Sequence, residues 1–262
     1  MSRGVEGRTA VVCGASSGLG YAVAERLAAG GARVLVVSRS EERVSAAVDA
    51  IRAAGGAVEG CAADLTEAGA PGRIADAARA AFGAPEIVVA NGGGPPGMPA
   101  VEATAEDLEA ACRLLLLPVQ RLAAETLPAM RAAGWGRFVA VTSVAVRQPQ
   151  PGLVLSNSLR AAVTGYLKSL ADEVAADGVT VNTVCPGYTA TDRLQVLAGN
   201  VAEREGVTID EVFARWAQQA PVGRLLRPEE VAAAVAFLCS DDASGITGIA
   251  LPVDGGFSRG LL

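Results

Sequence analysis

Gly14, Gly18 and Gly20 fall in the run Cys13-Gly14-Ala15-Ser16-Ser17-Gly18-Leu19-Gly20, directly after the β-branched segment Thr9–Cys13 and at the head of the Ala-rich stretch Leu19–Ala29. A strand that turns sharply into a helix through small residues aims unpaired N–H groups and a positive helix end at one point, which suits a phosphate. Gly14 permits the turn, Gly18 lets a pyrophosphate approach the backbone, and Gly20 lets the helix pack closely. A plain tight loop is the other reading, and the strand before and helix after argue against it. Further on, Val37-Ser38-Arg39-Ser40 ends a second β-branched run. A carboxylate there would grip ribose hydroxyls and repel a 2′-phosphate. Ser38 and Arg39 offer a hydroxyl and a guanidinium instead, so NADP(H) is expected over NAD(H). The alternative for Arg39 is a solvated surface residue.

Proton transfer has few candidates. The chain has no histidine, which excludes a Ser-His-Asp triad and argues against a catalytic transition-metal site. Its five cysteines, Cys13, Cys61, Cys112, Cys185 and Cys239, are scattered without a C-x-x-C pair, so no zinc site or disulfide framework is expected. Tyrosine, serine, lysine, a carboxylate or water must carry any proton.

These residues need elements to place them. Short β-branched runs over Thr9–Cys13, Arg33–Ser38, Ala57–Ala62, Ile87–Ala90, Arg137–Thr142, Thr180–Cys185 and Ile249–Val253 read as strands. Amphipathic stretches over Leu19–Ala29, Glu41–Ala54, Pro71–Phe82, Ala105–Ala132, Leu155–Ala176 and Pro228–Cys239 read as helices between them. The strands are apolar on both faces, as a parallel sheet covered by helices requires. The alternation predicts one α/β domain over residues 1–262, a Rossmann-type doubly wound parallel sheet with helices on both faces. A polar helical insertion at about 192–219 is expected to act as a substrate lid.

Composition narrows the function. The chain is 51% hydrophobic and 19% charged, with net charge −6, a globular profile without the basic face of a nucleic-acid binder. No charge-free apolar run reaches the roughly 18 residues of a membrane span. The polar start Met1–Arg8 carries no signal-peptide core, so a cytoplasmic protein with reduced thiols is expected.

From about Gly7 to Phe257 the chain resembles the short-chain dehydrogenase/reductase family, in particular its 3-oxoacyl-acyl-carrier-protein reductases. The glycine spacing G-x-x-x-G-x-G is similar to that family's turn, with Cys13 where Thr is common. Asp64-Leu65 is similar to the pair that contacts adenine, and Asn91-Gly92-Gly93 resembles the family's Asn-Asn-Ala-Gly with Ala90 for its first Asn. Pro186-Gly187-Tyr188-Thr189-Ala190-Thr191 resembles the segment whose backbone and Thr hydroxyl, Thr189 or Thr191, hold the nicotinamide side. Arg224, Pro228-Glu229-Glu230, Thr247-Gly248 and Asp254-Gly255-Gly256 complete a family-like tail.

The resemblance implies hydride transfer to a carbonyl or from an alcohol. It assigns Ser143 to steadying the substrate oxygen. The family then uses a Tyr, a Lys four residues on that lowers the phenol's pKa, and an Asn on the preceding long helix. Here Ser156 aligns with the Tyr, Arg160 with the Lys and Leu115 with the Asn. Tyr21, Tyr166 and Tyr188 are followed four residues later by Glu25, Leu170 and Asp192, so no Tyr-x-x-x-Lys exists. Tyr166 and Lys168 are two apart and diverge on a helix. Arg160 is expected to hydrogen-bond Ser156 and to fork onto ribose hydroxyls. Tyr188 is either an alternative proton source or a packing residue at the lid hinge. Gly92–Gly97 and Gln148–Pro151 are expected to flank the cleft.

Three functions follow: an oxidoreductase acting on a small-molecule carbonyl or alcohol with an altered acid–base set; a non-redox enzyme on the same scaffold, for dehydration, isomerisation or cyclisation; or a non-catalytic NADP-binding subunit or sensor. The long helices resemble those that pair between family subunits, so a homotetramer or dimer is expected.

Overall fold

A computed structural model describes residues 4–261. The first three residues of the polar start and the last residue of the expected domain lie outside it. Seven strands, β1 (Thr9–Cys13), β2 (Arg33–Ser38), β3 (Ala57–Ala62), β4 (Ile87–Ala90), β5 (Gly136–Val141), β6 (Val179–Pro186) and β7 (Ala250–Val253), form one parallel sheet in the order β3-β2-β1-β4-β5-β6-β7. Among the described residues eight α-helices connect them: α1 (Gly18–Ala29), α2 (Glu41–Ala53), α3 (Ala70–Ala81), α4 (Ala105–Ala133), α5 (Val154–Val174), α6 (Asp192–Glu205), α7 (Ile209–Gln219) and α8 (Pro228–Leu238). The doubly wound architecture is the one expected.

Period-two alternation divides the core. Val12, Val36, Val89, Val139 and Val184 face the side of α1, α2 and α8. Val11, Leu35, Val88, Phe138 and Ala140 face the side of α3, α4 and α5. Both sets are almost solvent-free. The strand order reverses between β1's two neighbours, β2 and β4, which opens a crevice at their carboxyl ends.

Two expectations need correction. β3 is not covered on both faces: Ala57, Glu59, Gly60 and Ala62 are exposed, because β3 is the sheet edge. The insertion at 192–219 is not simply polar. It folds as α6 and α7, whose Leu194, Ala198, Ala202, Val212 and Trp216 form a separate apolar cluster. Thr191 caps α6, and Thr208 with Glu211 forms a capping box on α7. Among the described residues, no helix is long and apolar enough to cross a membrane.

Candidate active site

The glycine turn sits at the carboxyl end of β1. Gly14 and Gly18 have φ of +59° and +55°, a region that disfavours any side chain. A Cβ on Gly20 would collide with the carbonyl oxygen of Gly14 and come within 2.8 Å of Asn91 Nδ2. Gly20 therefore lets the first helical turn close on the loop itself. Ser17 caps α1 with extended backbone and no side-chain bond, and the first turn carries no acid. Leu19, next in that turn, packs against the core. The helix end thus keeps unengaged donors and a positive dipole, which fits a pyrophosphate.

The ribose and adenine side is built at the ends of β2, β3 and β4. Ser16 Oγ donates to Ser38 Oγ at 2.9 Å, joining the glycine turn to β2. Arg39 is exposed and makes no ion pair among the described residues. The Asp64 carboxyl accepts from Thr66 N at 2.9 Å and Thr66 Oγ1 at 2.8 Å. Those bonds hold it below the usual carboxylate range, and the Arg39 guanidinium adds to the effect. A free guanidinium beside the Ser16–Ser38 pair fits a 2′-phosphate. Asn91 Nδ2 donates to the carbonyls of Cys13 and Gly14, both at 3.3 Å, and so ties β4's end to the turn. Burial pushes the Cys13 thiol up to about 12, which leaves it an inert packing group.

Arg160 organises the catalytic side. From α5 its Nε donates to Ser156 Oγ at 3.2 Å. Its Nη1 donates to the carbonyls of Val141 at 3.1 Å and Thr142 at 3.0 Å, and Nη2 to the carbonyl of Gly93 at 3.1 Å. Four of its five N–H donors are therefore engaged, three of them on backbone carbonyls. A single N–H remains for a ligand such as the ribose expected there. Burial, then the Arg193 guanidinium nearby, lowers Arg160 from its ordinary value to about 10. It stays cationic at neutral pH.

Ser143, next to the Thr142 that Arg160 grips, caps a short helical turn at Val144–Val146, and its Oγ accepts from Ala145 N at 3.1 Å. Its O–H remains available as a donor. Ser143 and Ser156 are both half-buried; Arg160 bonds the Ser156 hydroxyl and the carbonyl of Thr142, the residue before Ser143. Beside them lies a cavity of about 30 Å³, room for a water, lined by Leu114, Leu115, Pro118, Thr142, Asn91 and Arg160 among others. Pro118 lies inside α4 and has no N–H, so the Leu114 carbonyl lacks its helical donor there.

The Pro186–Thr191 segment follows β6. Gly187 N donates to Val253 O, and Tyr188 and Ala190 exchange backbone bonds with Leu226. Thr189 is 4% exposed and its hydroxyl donates to Gly187 O, which makes it a poor contact for a nicotinamide. Thr191 is half-buried and lies beside Gly18, the better placed of the two. Tyr188 stacks on Trp216 at 4.7 Å and meets Phe257 edge-on at 5.6 Å. Desolvation raises its pKa. Its hydroxyl donates to Gln150 Oε1 at 3.3 Å. These contacts fit the packing alternative for Tyr188, whose ring lies between Trp216 of α7 and Phe257.

Two contributors, Asn157 and Arg193, were not singled out from the sequence, and Gln150 was named only within the cleft-flanking run Gln148–Pro151. Asn157 holds the backbone of Gln150 through both amide atoms. Gln150 in turn receives the Tyr188 hydroxyl. Arg193, on the first turn of α6, donates to Pro95 O at 3.0 Å. Only Arg193 carried a signal: a cation at the positive end of a helix.

A doubly wound sheet, a glycine turn at its switch point and a half-buried Arg160 bonded to Ser156 define a dinucleotide-binding fold with a polar cleft. A profile described as enoyl-(acyl carrier protein) reductase matches residues 14–258. The chain belongs to the short-chain dehydrogenase/reductase family. It is 36% identical over 251 residues to the 3-oxoacyl-[acyl-carrier-protein] reductase FabG of Escherichia coli, covering 96% of this chain and 97% of that protein. The structure of L-sorbose reductase from Gluconobacter frateurii, complexed with NADPH and L-sorbose, superposes with TM-score 0.93 at 32% identity over 100% of both chains. A variant of actinorhodin polyketide ketoreductase with NADPH gives 0.92 at 31% identity, over 97% of this chain and 98% of that one.

Proposed function

We propose that this protein is an NADP(H)-dependent oxidoreductase that interconverts a carbonyl and an alcohol, with Ser156 and Arg160 in place of the family's Tyr and Lys. The observation that carries this reading is the Arg160 guanidinium bridging Ser156 Oγ and the Thr142 carbonyl that precedes Ser143. The relatives are reductases by name, and two similar structures hold NADPH. The bound dinucleotide supplies the hydride chemistry. Gly14, Ser16, Ser17, Gly18, Leu19 and Gly20 would hold its pyrophosphate side, Ser38 and Arg39 its 2′-phosphate. Asp64, Leu65, Asn91 and Gly92 would border its adenosine, and Pro186, Gly187 and Thr191 the nicotinamide.

The chain's own residues then act on the substrate oxygen. Ser143 and Ser156 each donate an O–H to it. Because Ser156 Oγ accepts from Arg160, its hydrogen is directed outward and made more acidic. An alcohol remains a far weaker acid than a phenol, so this pair stabilises developing negative charge rather than completing proton transfer, and water delivers the proton. Slow reduction of simple ketones follows. The test is NADPH consumption across ketones, quinones and acyl thioesters, with Ser143→Ala expected to lower any turnover. Tight NADPH binding with no consumption of any carbonyl would favour a non-catalytic or non-redox role.

A further inference from the structure

The first turn of α6 holds an unusual cation. Arg193 follows the cap Thr191 and Asp192, at the helix end where the dipole disfavours positive charge. It is exposed, and its Nη2 donates to Pro95 O at 3.0 Å. A Cβ on Gly94 would stand 2.9 Å from that same nitrogen, so the glycine makes room for the guanidinium. Two residues back, Gly93 O receives Arg160. Two guanidiniums thus grip one loop from opposite elements, α5 and α6, close enough that Arg193 opposes the charge on Arg160.

Among the described residues no carboxylate lies within ion-pair distance of either Arg160 or Arg193, and the exposed Asp192 bridges to neither. The chain carries 28 Asp and Glu against 22 Lys and Arg, and none of those acids pairs with either cation at this point. Two like charges and an opposing helix dipole are penalties that an anion would relieve. Arg160 has one donor left, whereas Arg193 has engaged a single one of five. The position is also central: Thr191, two residues before, lies 3.4 Å from where a Cβ on Gly18 would stand, while Arg193 reaches the Gly92–Gly97 loop.

We propose that Arg193 is an anion receptor at the mouth of the cleft, and that its ligand is a carboxylate carried by the substrate. The substrate class is then an oxo acid, or the corresponding hydroxy acid. The dinucleotide is the other source of anionic oxygen. The glycine turn and α1 already serve its pyrophosphate, and the hydrogen bond that Arg193 makes is to Pro95 in the Gly92–Gly97 loop, not to that turn, which favours the substrate. The assignment of the carbonyl to the same ligand rests on the reductase reading; the anion site does not.

The experiment uses the full chain saturated with NADP+ and a series of α-, β- and γ-oxo acids, each paired with its methyl ester. Binding is read by Trp fluorescence and thermal shift, and turnover by NADPH consumption. Wild type is expected to bind at least one acid about tenfold or more tightly than its ester, the scale of one charge-assisted bond. Arg193→Met should abolish that preference while NADPH affinity measured without substrate stays the same, and Arg193→Lys should retain part of it. Loss of NADPH affinity in Arg193→Met with no acid preference in wild type would overturn the substrate assignment and give the anion to the dinucleotide. Equal binding of acids and esters by wild type, with unchanged NADPH affinity in Arg193→Met, would overturn the receptor altogether. Acid preference without turnover would uphold the receptor and count against the reductase reading. The wild-type comparison stands even if the variants fold poorly.

Discussion

Arg160 Nε lies 3.2 Å from Ser156 Oγ, one helical turn back along α5. The i, i+4 spacing puts both side chains on one face, and the guanidinium's planar fork lets the same residue reach Val141, Thr142 and Gly93. An ammonium has three donors and no fork, so it cannot reproduce this clamp. Arg160 is therefore both an electrostatic group and the pin that holds β5 and the Gly92–Gly97 loop together.

The first prediction concerns proton supply. Ser156→Tyr with Arg160→Lys should raise ketone reduction, because a phenol lowered by an ammonium is the stronger acid; general acid help of this kind is typically about 10²–10⁴-fold. The gain should fall below that range, since Leu115 supplies no hydrogen bond to the adjoining cavity and the lysine forfeits carbonyl contacts. Melting temperature should fall in the same variant. NADPH consumption at saturating cofactor, beside a thermal melt, checks both; an unaltered or lower rate in a folded double variant would refute the alignment.

The second is cofactor choice. NADPH should bind at least about tenfold more tightly than NADH, because a charge-assisted pair with Arg39 contributes roughly 1.5–3 kcal/mol. Arg39→Ala should remove most of the difference. Fluorescence titration with both cofactors decides it, and equal affinities in wild type would contradict the reading.

The third tests the turn. Gly20→Ala should abolish cofactor binding or folding, because its Cβ meets the Gly14 carbonyl, a backbone atom that cannot swing aside. Gly72→Ala, where a Cβ meets nothing, is the control and should stay close to wild type. Circular dichroism with NADPH titration separates loss of fold from loss of binding.

A fourth concerns acid. Glu230 accepts from Arg224 at 2.7 and 2.8 Å and from Arg227 N at 2.8 Å, and the Arg224 bonds lead in holding its carboxyl down at about 2. A carboxyl depressed in the folded state contributes stability above its unfolded pKa and loses it as pH falls through the folded value. Stability should decline from the ordinary glutamate range down to about pH 2. Glu230→Gln should flatten part of that decline, and added salt should shrink the difference because Glu230 is only half-buried and its partner Arg224 is exposed. Denaturant melts across this range provide the measurement.

The fifth is assembly. On α5, Ala161, Ala162, Gly165 and Ser169 are exposed small residues, a face on which another helix can approach closely. A dimer or tetramer at micromolar concentration is expected, and Ala162→Arg should lower the particle mass in light scattering. A monomeric wild type would end this proposal.

Much was legible in local patterns. β-branched runs alternating with amphipathic stretches gave the strands nearly to the residue, because period and length report which faces are buried. The glycine turn was legible because positive φ and close approach both demand glycine. The position of Ser38 and Arg39 beside that turn was legible because the end of β2 lies next to it in any such sheet.

The tertiary structure decided what the side chains do there. Sequence spacing placed Arg160 one turn from Ser156, but not its engagement with carbonyls from β5 and from a loop 67 positions away. The stacking of Tyr188 on Trp216 needed α7 to bring the two rings together. Arg193 became unbalanced only when α6 swung it over Pro95 beside a second guanidinium. Backbone conformation and strand period are short-range properties, written in neighbouring residues. Hydrogen-bond partners and charge balance depend on which distant atoms packing brings within a few ångströms, and that is settled only when the whole sheet has closed.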